Sequence, residues 1–173
     1  NGSNSSCIDS SIDNLDSNYQ PFDIAYENYS GDALIVYATA TSGSIRYKWF
    51  MDPYGDPGGL SEGIVLAYDA PEVPHTLDSE RIQWMKLVPK PRSDDIALVY
   101  STTSNDLYVM MWNGSHFTTD TSIRKELETT LLAGCKGRPF DACFEDRGDQ
   151  DLVVVYNNNS SDGIFGQAYD SKT

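Results

Sequence analysis

Four acids crowd one short stretch, Glu145-Asp146-Arg147-Gly148-Asp149-Gln150-Asp151. Closely spaced oxygen ligands are what a hard cation such as calcium takes, so Glu145, Asp146, Asp149 and Asp151 form a candidate calcium site. Other chemistry is sparse. His75 and His116 are the histidines, and no Cys-x-x-Cys occurs, so zinc is not expected. The sequence holds no Gly-x-Ser-x-Gly, no phosphate loop and no His-Glu-x-x-His. Paired carboxylates for glycoside hydrolysis need defined separations that no motif here specifies, and an enzyme is not expected. Trp112 precedes a turn and is the candidate ligand-facing aromatic, whereas Trp49 and Trp84 lie at alternating strand positions and read as core.

Two covalent chemistries remain. Acceptor sequons for N-glycosylation stand at Asn1, Asn4, Asn28, Asn113, Asn158 and Asn159, the last four in expected turns. The cysteines are Cys7, Cys135 and Cys143. Cys135 and Cys143 flank a Gly-Arg-Pro turn and suit a short loop closure in an oxidising compartment, with Cys7 able to pin the N-terminal tail. An odd count leaves one thiol unpaired, intermolecular or bonded elsewhere.

The elements that position these residues repeat. Phe22–Tyr37, Trp84–Tyr100 and Phe140–Tyr156 each run from an aromatic residue through an alternating segment and a polar turn. Each ends in an acid followed by an apolar run: Asp32-Ala-Leu-Ile-Val-Tyr37, Asp95-Ile-Ala-Leu-Val-Tyr100 and Asp151-Leu-Val-Val-Val-Tyr156. A small polar turn and a further β-like run follow, Ile45–Phe50, Leu107–Trp112 and Ile164–Tyr169. β-Branched and aromatic residues favour pleated strands, and Gly, Asn, Asp and Ser clusters favour turns. Gly63–Asp69 reads as a fourth strand of the first unit, and Ile123, Leu127 and Leu131 space as one short helix over about 123–133, capped by Thr121 or Ser122. The expected architecture is all-β: three repeated antiparallel β-units, β-propeller-like or a β-sandwich, with at most one short helix. An N-terminal tail spans 1–20, and a single β-repeat domain spans 21–173, with units about 21–80, 81–134 and 135–173.

The Asp146–Asp151 loop running straight into Leu152-Val-Val-Val resembles the calcium loops of FG-GAP repeats in integrin-type β-propellers. It departs from them where Gly148 precedes Asp149 and where Gln150 stands at an expected glycine. The wider cadence of aromatic, Asp, Gly-Asp and Val-Tyr is similar to propeller-type repeats of secreted microbial surface proteins. That resemblance implies an extracellular, non-enzymatic role.

Net charge −14 and scattered basic residues exclude a nucleic-acid interface and disfavour anionic membranes. No apolar run is long enough to span a bilayer, and a first residue of Asn suggests a processed or trimmed chain. The third unit reads as lacking a fourth strand, and an open sheet edge invites pairing with another chain. The expected function is a secreted structural protein: a subunit of an extracellular filament, pilus or surface layer, self-assembling or built with a companion subunit. The alternative is a glycan-binding or adhesive module at the cell surface.

Overall fold

The computed structural model describes residues 19–39, 45–50, 81–117, 125–132, 137–159 and 163–169. Strands β1 (Phe22–Tyr26), β2 (Ala33–Ala38) and β3 (Ile45–Phe50) form sheet 1 in the order β1-β2-β3. Strands β4 (Ile82–Pro89), β5 (Asp95–Thr102), β6 (Leu107–Asn113) and β7 (Lys125–Glu128) form sheet 2 in chain order. Strands β8 (Phe140–Phe144), β9 (Leu152–Asn157) and β10 (Ile164–Tyr169) form sheet 3, with β9 central. All neighbouring strands are antiparallel, and the sheets do not close on themselves. The protein is thus all-β, and among the described residues no sheet borrows a strand from another unit.

Strand alternation explains the layering. In β5, Ile96, Leu98 and Tyr100 point to one face, and Ala97 and Val99 to the other; all are buried. In β6, Tyr108, Met110 and Trp112 share the first face, and Leu107, Val109 and Met111 the second. Side chains of successive strand residues leave on opposite faces, so a strand that is apolar throughout needs cover on both sides. Sheet 1 covers the first face with Ala25, Leu34, Val36, Ile45 and Tyr47. Sheet 3 covers the second with Phe140, Ala142, Leu152, Val154 and Tyr156. The opening strands β1, β4 and β8 lie beside one another. Gln20 adds a parallel bridge to Trp84, tying the segment before β1 to β4.

The expected short helix is corrected. Lys125–Glu128 is the edge strand β7, paired to β6, and Leu131 bridges Asn158 of sheet 3. Leu127 and Leu131 are both buried against Leu107 and Val109, so the apolar spacing serves an edge strand and a bridge rather than a helix face. The fourth strand expected at 63–69 lies outside the described residues.

Burial separates the costly positions from the tolerant ones. Leu98→Ala, in the doubly covered sheet, is expected to lose about 2–5 kcal/mol. Tyr29→Ala, at an exposed turn, should stay within about 0.5 kcal/mol of wild type. Equilibrium denaturation of both variants checks the contrast.

Candidate functional site

The turns joining the first two strands of each unit line up. In each, the first turn residue donates its backbone N–H to the carbonyl of a closing aspartate: Glu27 to Asp32 (2.8 Å), Lys90 to Asp95 (2.9 Å) and Glu145 to Asp151 (3.0 Å). Each turn also grips the next. The Asn28 side-chain amide donates to the Lys90 carbonyl at 2.8 Å, and the Asn28 backbone N–H to that of Ser93 at 3.2 Å. Asp94 Oδ1 accepts from the backbone N–H of Tyr29 (3.2 Å) and Ser30 (2.8 Å). Between the second and third turns, Gln150 Nε2 donates to the Pro91 carbonyl at 3.1 Å, and Arg92 donates to the Asp146 carbonyl.

The one buried acid among these turns is Glu27. Its Oε1 accepts from the indole N–H of Trp112 at 2.6 Å, and its Oε2 from the Ser30 hydroxyl at 2.5 Å. Burial pushes the Glu27 carboxyl above its ordinary value; the Ser30 and Trp112 bonds pull it down in part, and nearby Asp94 and Asp32 raise it further. Lys90 occupies the matching place in the second unit, where it is buried and lies 3.5 Å from Asp95. Neither signal is visible in a motif; only the matching of turn positions exposes them.

The expected calcium ligands stand on the third turn. Glu145, Asp146 and Asp149 are exposed and Asp151 is half-buried. Among the described residues no group of three or more His, Cys, Asp or Glu side chains is placed to hold a metal ion. Asp146 instead lies 3.7 Å from Arg92. The position where a glycine was expected does take a left-handed backbone: Gln150 has φ 59°, as Gly31 has φ 82° just before Asp32. A glutamine held there stores about 1–2 kcal/mol of strain, offset by its bond to Pro91.

Trp112 is corrected as a ligand platform. It is fully buried, and Tyr47, Trp49 and Phe117 pack edge-on to it with ring centroids 5.1, 5.6 and 5.4 Å away. The turn after it, Asn113 to His116, leaves the indole on the side of sheet 1, where alternation along β6 directs it. Trp49 and Trp84 pack against the two core clusters, as their strand positions imply.

Cys143 is a free, exposed thiol on the outward face of β8. That face turns away from sheet 2, whereas Ala142 and Phe144 turn towards it. Cys7 and Cys135, like Asn1 and Asn4, lie outside the described residues. Of the other sequons, Asn28 and Asn158 spend their side-chain nitrogens on internal bonds, to the Lys90 carbonyl and to Glu128 Oε2 at 2.7 Å. Asn28, Asn113 and Asn159 are exposed, and Asn113 Nδ2 lies 3.4 Å from His116 Nε2.

Apolar side chains stand exposed on both outer sheets. On the outward face of sheet 1, Phe22, Ile24 and Tyr26 are 48%, 54% and 63% exposed. On the outward face of sheet 3, Val155 and Ile164 are 39% and 81% exposed. Beside Val155 and Ile164 runs a groove of about 410 Å³, also lined by Leu132, Arg138, Pro139 and Asp141. No protein-family model matches the chain, and no curated protein or solved structure is detectably similar to it. Among the described residues, no helix is long and apolar enough to cross a membrane.

Two outcomes test this geometry. Glu27→Ala leaves the Trp112 N–H buried without an acceptor and should cost about 1–3 kcal/mol, while Glu27→Gln keeps an acceptor. The stabilisation that neutral Glu27 provides is complete below about 4.5, its ordinary value, and fades as pH rises through its raised folded-state value. Glu27→Gln should therefore gain on wild type as pH rises above about 4.5 in thermal unfolding; a constant gap would remove burial as the cause. Separately, expression through a secretory pathway should place a glycan on exposed Asn159 in preference to half-buried Asn158, whose amide is held by Glu128, read by mass spectrometry of glycopeptides.

Proposed function

We propose that this protein is a secreted, non-enzymatic structural protein, a subunit of an extracellular filament, pilus or surface layer. The reading rests chiefly on one observation: both outer sheets of the stack present apolar strands to solvent, with Phe22, Ile24 and Tyr26 at one end and Val155 and Ile164 at the other. Contiguous exposed apolar surface on a folded protein marks an interaction site. The strongly acidic composition and the sequons fit a solvated extracellular surface.

The finer architecture we propose is propeller-like. Sheets stacked face to face, with the opening strands β1, β4 and β8 side by side, are arranged as blades are around an axis. The aromatic residues near the Asn113 turn that an adhesive, glycan-binding role would use, Trp112 and Phe117, are buried.

Electron microscopy of the purified protein tests the proposal. Ordered polymers or sheets are expected. Dispersed particles of single-chain size under every condition would overturn it.

A further inference from the structure

The three sheets are repeats, so each outward residue has counterparts inside the stack. Register defines them: Phe22, Met85 and Phe140 pair respectively with Tyr37, Tyr100 and Tyr156. Counting on from these, Ala25, Val88 and Cys143 are equivalent, and so are Ile24, Leu87 and Ala142.

The face of sheet 1 that meets sheet 2 is the face of sheet 2 that meets sheet 3. Ala25, Leu34 and Val36 are buried in the first joint, and their counterparts Val88, Ala97 and Val99 in the second. The third set is Cys143, Val153 and Val155, which line the outward face of sheet 3. The opposite faces obey the same rule. Met85, Leu87, Ile96 and Leu98 receive sheet 1; Phe140, Ala142, Leu152 and Val154 receive sheet 2. The remaining set is Phe22, Ile24, Ala33 and Ile35, on the outward face of sheet 1. The two open faces are therefore the two halves of a joint that the chain makes twice within itself.

A polar contact repeats in the same register. Asp23 Oδ2 accepts from the backbone N–H of Leu87 at 2.7 Å, across the first joint. Lys86, the equivalent of Asp23, donates to the carbonyl of Ala142 at 2.8 Å, across the second. The third member is Asp141, with its side chain 61% exposed. The backbone position equivalent to Leu87 and Ala142 is Ile24, on the open face of sheet 1.

We propose that the outward face of sheet 3 docks on the outward face of sheet 1 of a second copy, head to tail, reproducing the internal joints. Asp141 then sits against the β1 backbone at Ile24, and Cys143 is buried where Ala25 and Val88 are buried inside the chain. Such a contact joins unlike faces, so it closes into a ring or runs on as a filament. This inference rests on the structural reading above and names its partner and surface.

The test uses two variants, Ile24→Asp on sheet 1 and Val155→Asp on sheet 3, followed by sedimentation velocity over a range of concentrations. Wild type should associate as concentration rises. Each variant should stay monomeric, its association weakened about a hundredfold or more, because an unpaired charge would be buried. An equimolar mixture should form one-to-one pairs and nothing larger, since each variant retains one working face. Circular dichroism verifies folding, and Tyr26→Lys with Ile164→Lys, both at exposed positions, repeats the test if either variant unfolds. Monomeric wild type at every concentration overturns the proposal, as does full association by either variant alone or a mixture that forms no pairs. Ordered polymers that both variants leave intact would overturn this joint and leave the structural reading standing. Closed rings with the expected variant pattern would support the joint and count against a filament.

Discussion

The burial of sheet 2 on both faces governs the rest of the molecule. Every residue of β5 from Ile96 to Thr102, and of β6 from Leu107 to Trp112, is buried. A pleated strand divides its side chains between two faces, so neither face of this sheet could meet water without exposing several large apolar groups. At about 1.5–3 kcal/mol for each large side chain removed from water, two covering layers are the only arrangement that these strands tolerate. Sheets 1 and 3 supply the layers, each needing just one apolar face to do so. Their other faces are released from that demand, which makes the apolar residues found there informative.

Polar contacts set how the layers meet. Hydrophobic contact between sheets is non-directional and would allow them to slide. The Glu27–Trp112 bond crosses from the turn of sheet 1 into the middle of the first core cluster and anchors one end of that joint. Asp94 receives two backbone N–H groups of the neighbouring turn, and Asp23 and Lys86 reach the opening strand of the next sheet. A buried carboxyl is expensive unless its bonds are satisfied, and Glu27 meets that condition by spending both oxygens. The layers are thus held at one end by turns and along one edge by opening strands.

The repeat was legible because its signal is local: an aromatic start, an aspartate and an apolar run closing on tyrosine, each spanning one hairpin. Nine of the ten strands among the described residues fall on runs that the sequence marks this way or on their continuations. The exception, β7, shows the limit. Leu127 and Leu131 are four residues apart, which suits a helix face, yet their burial depends on the edge of β6 and on Asn158, neither of which is nearby in sequence. Trp112 was unreadable for a related reason: β6 is apolar on both faces, so nothing in its pattern tells which residues face a partner sheet. The role of Glu27 needed the position of Trp112, 85 residues away. The crowded acids of the third turn drew attention by composition, but among the described residues carboxylates do not gather for a metal.

The repeated contact along the opening strands shows what the repeat conserves physically. At equivalent positions stand Asp23, Lys86 and Asp141, a carboxylate, an ammonium and a carboxylate again. Asp23 takes the N–H of the next opening strand, and Lys86 gives to its C=O. Either charge works because a strand edge offers both a donor and an acceptor within one residue. The joint therefore depends on the placement of the backbone, not on the identity of the reaching side chain. Apolar positions inside the joints behave likewise: Ala25 and Val88 differ in size and are both buried. A joint with such loose side-chain requirements tolerates Cys143 and Val155 as readily as their counterparts. The geometry of the strands, repeated three times in one chain, is what would carry over to a contact between chains.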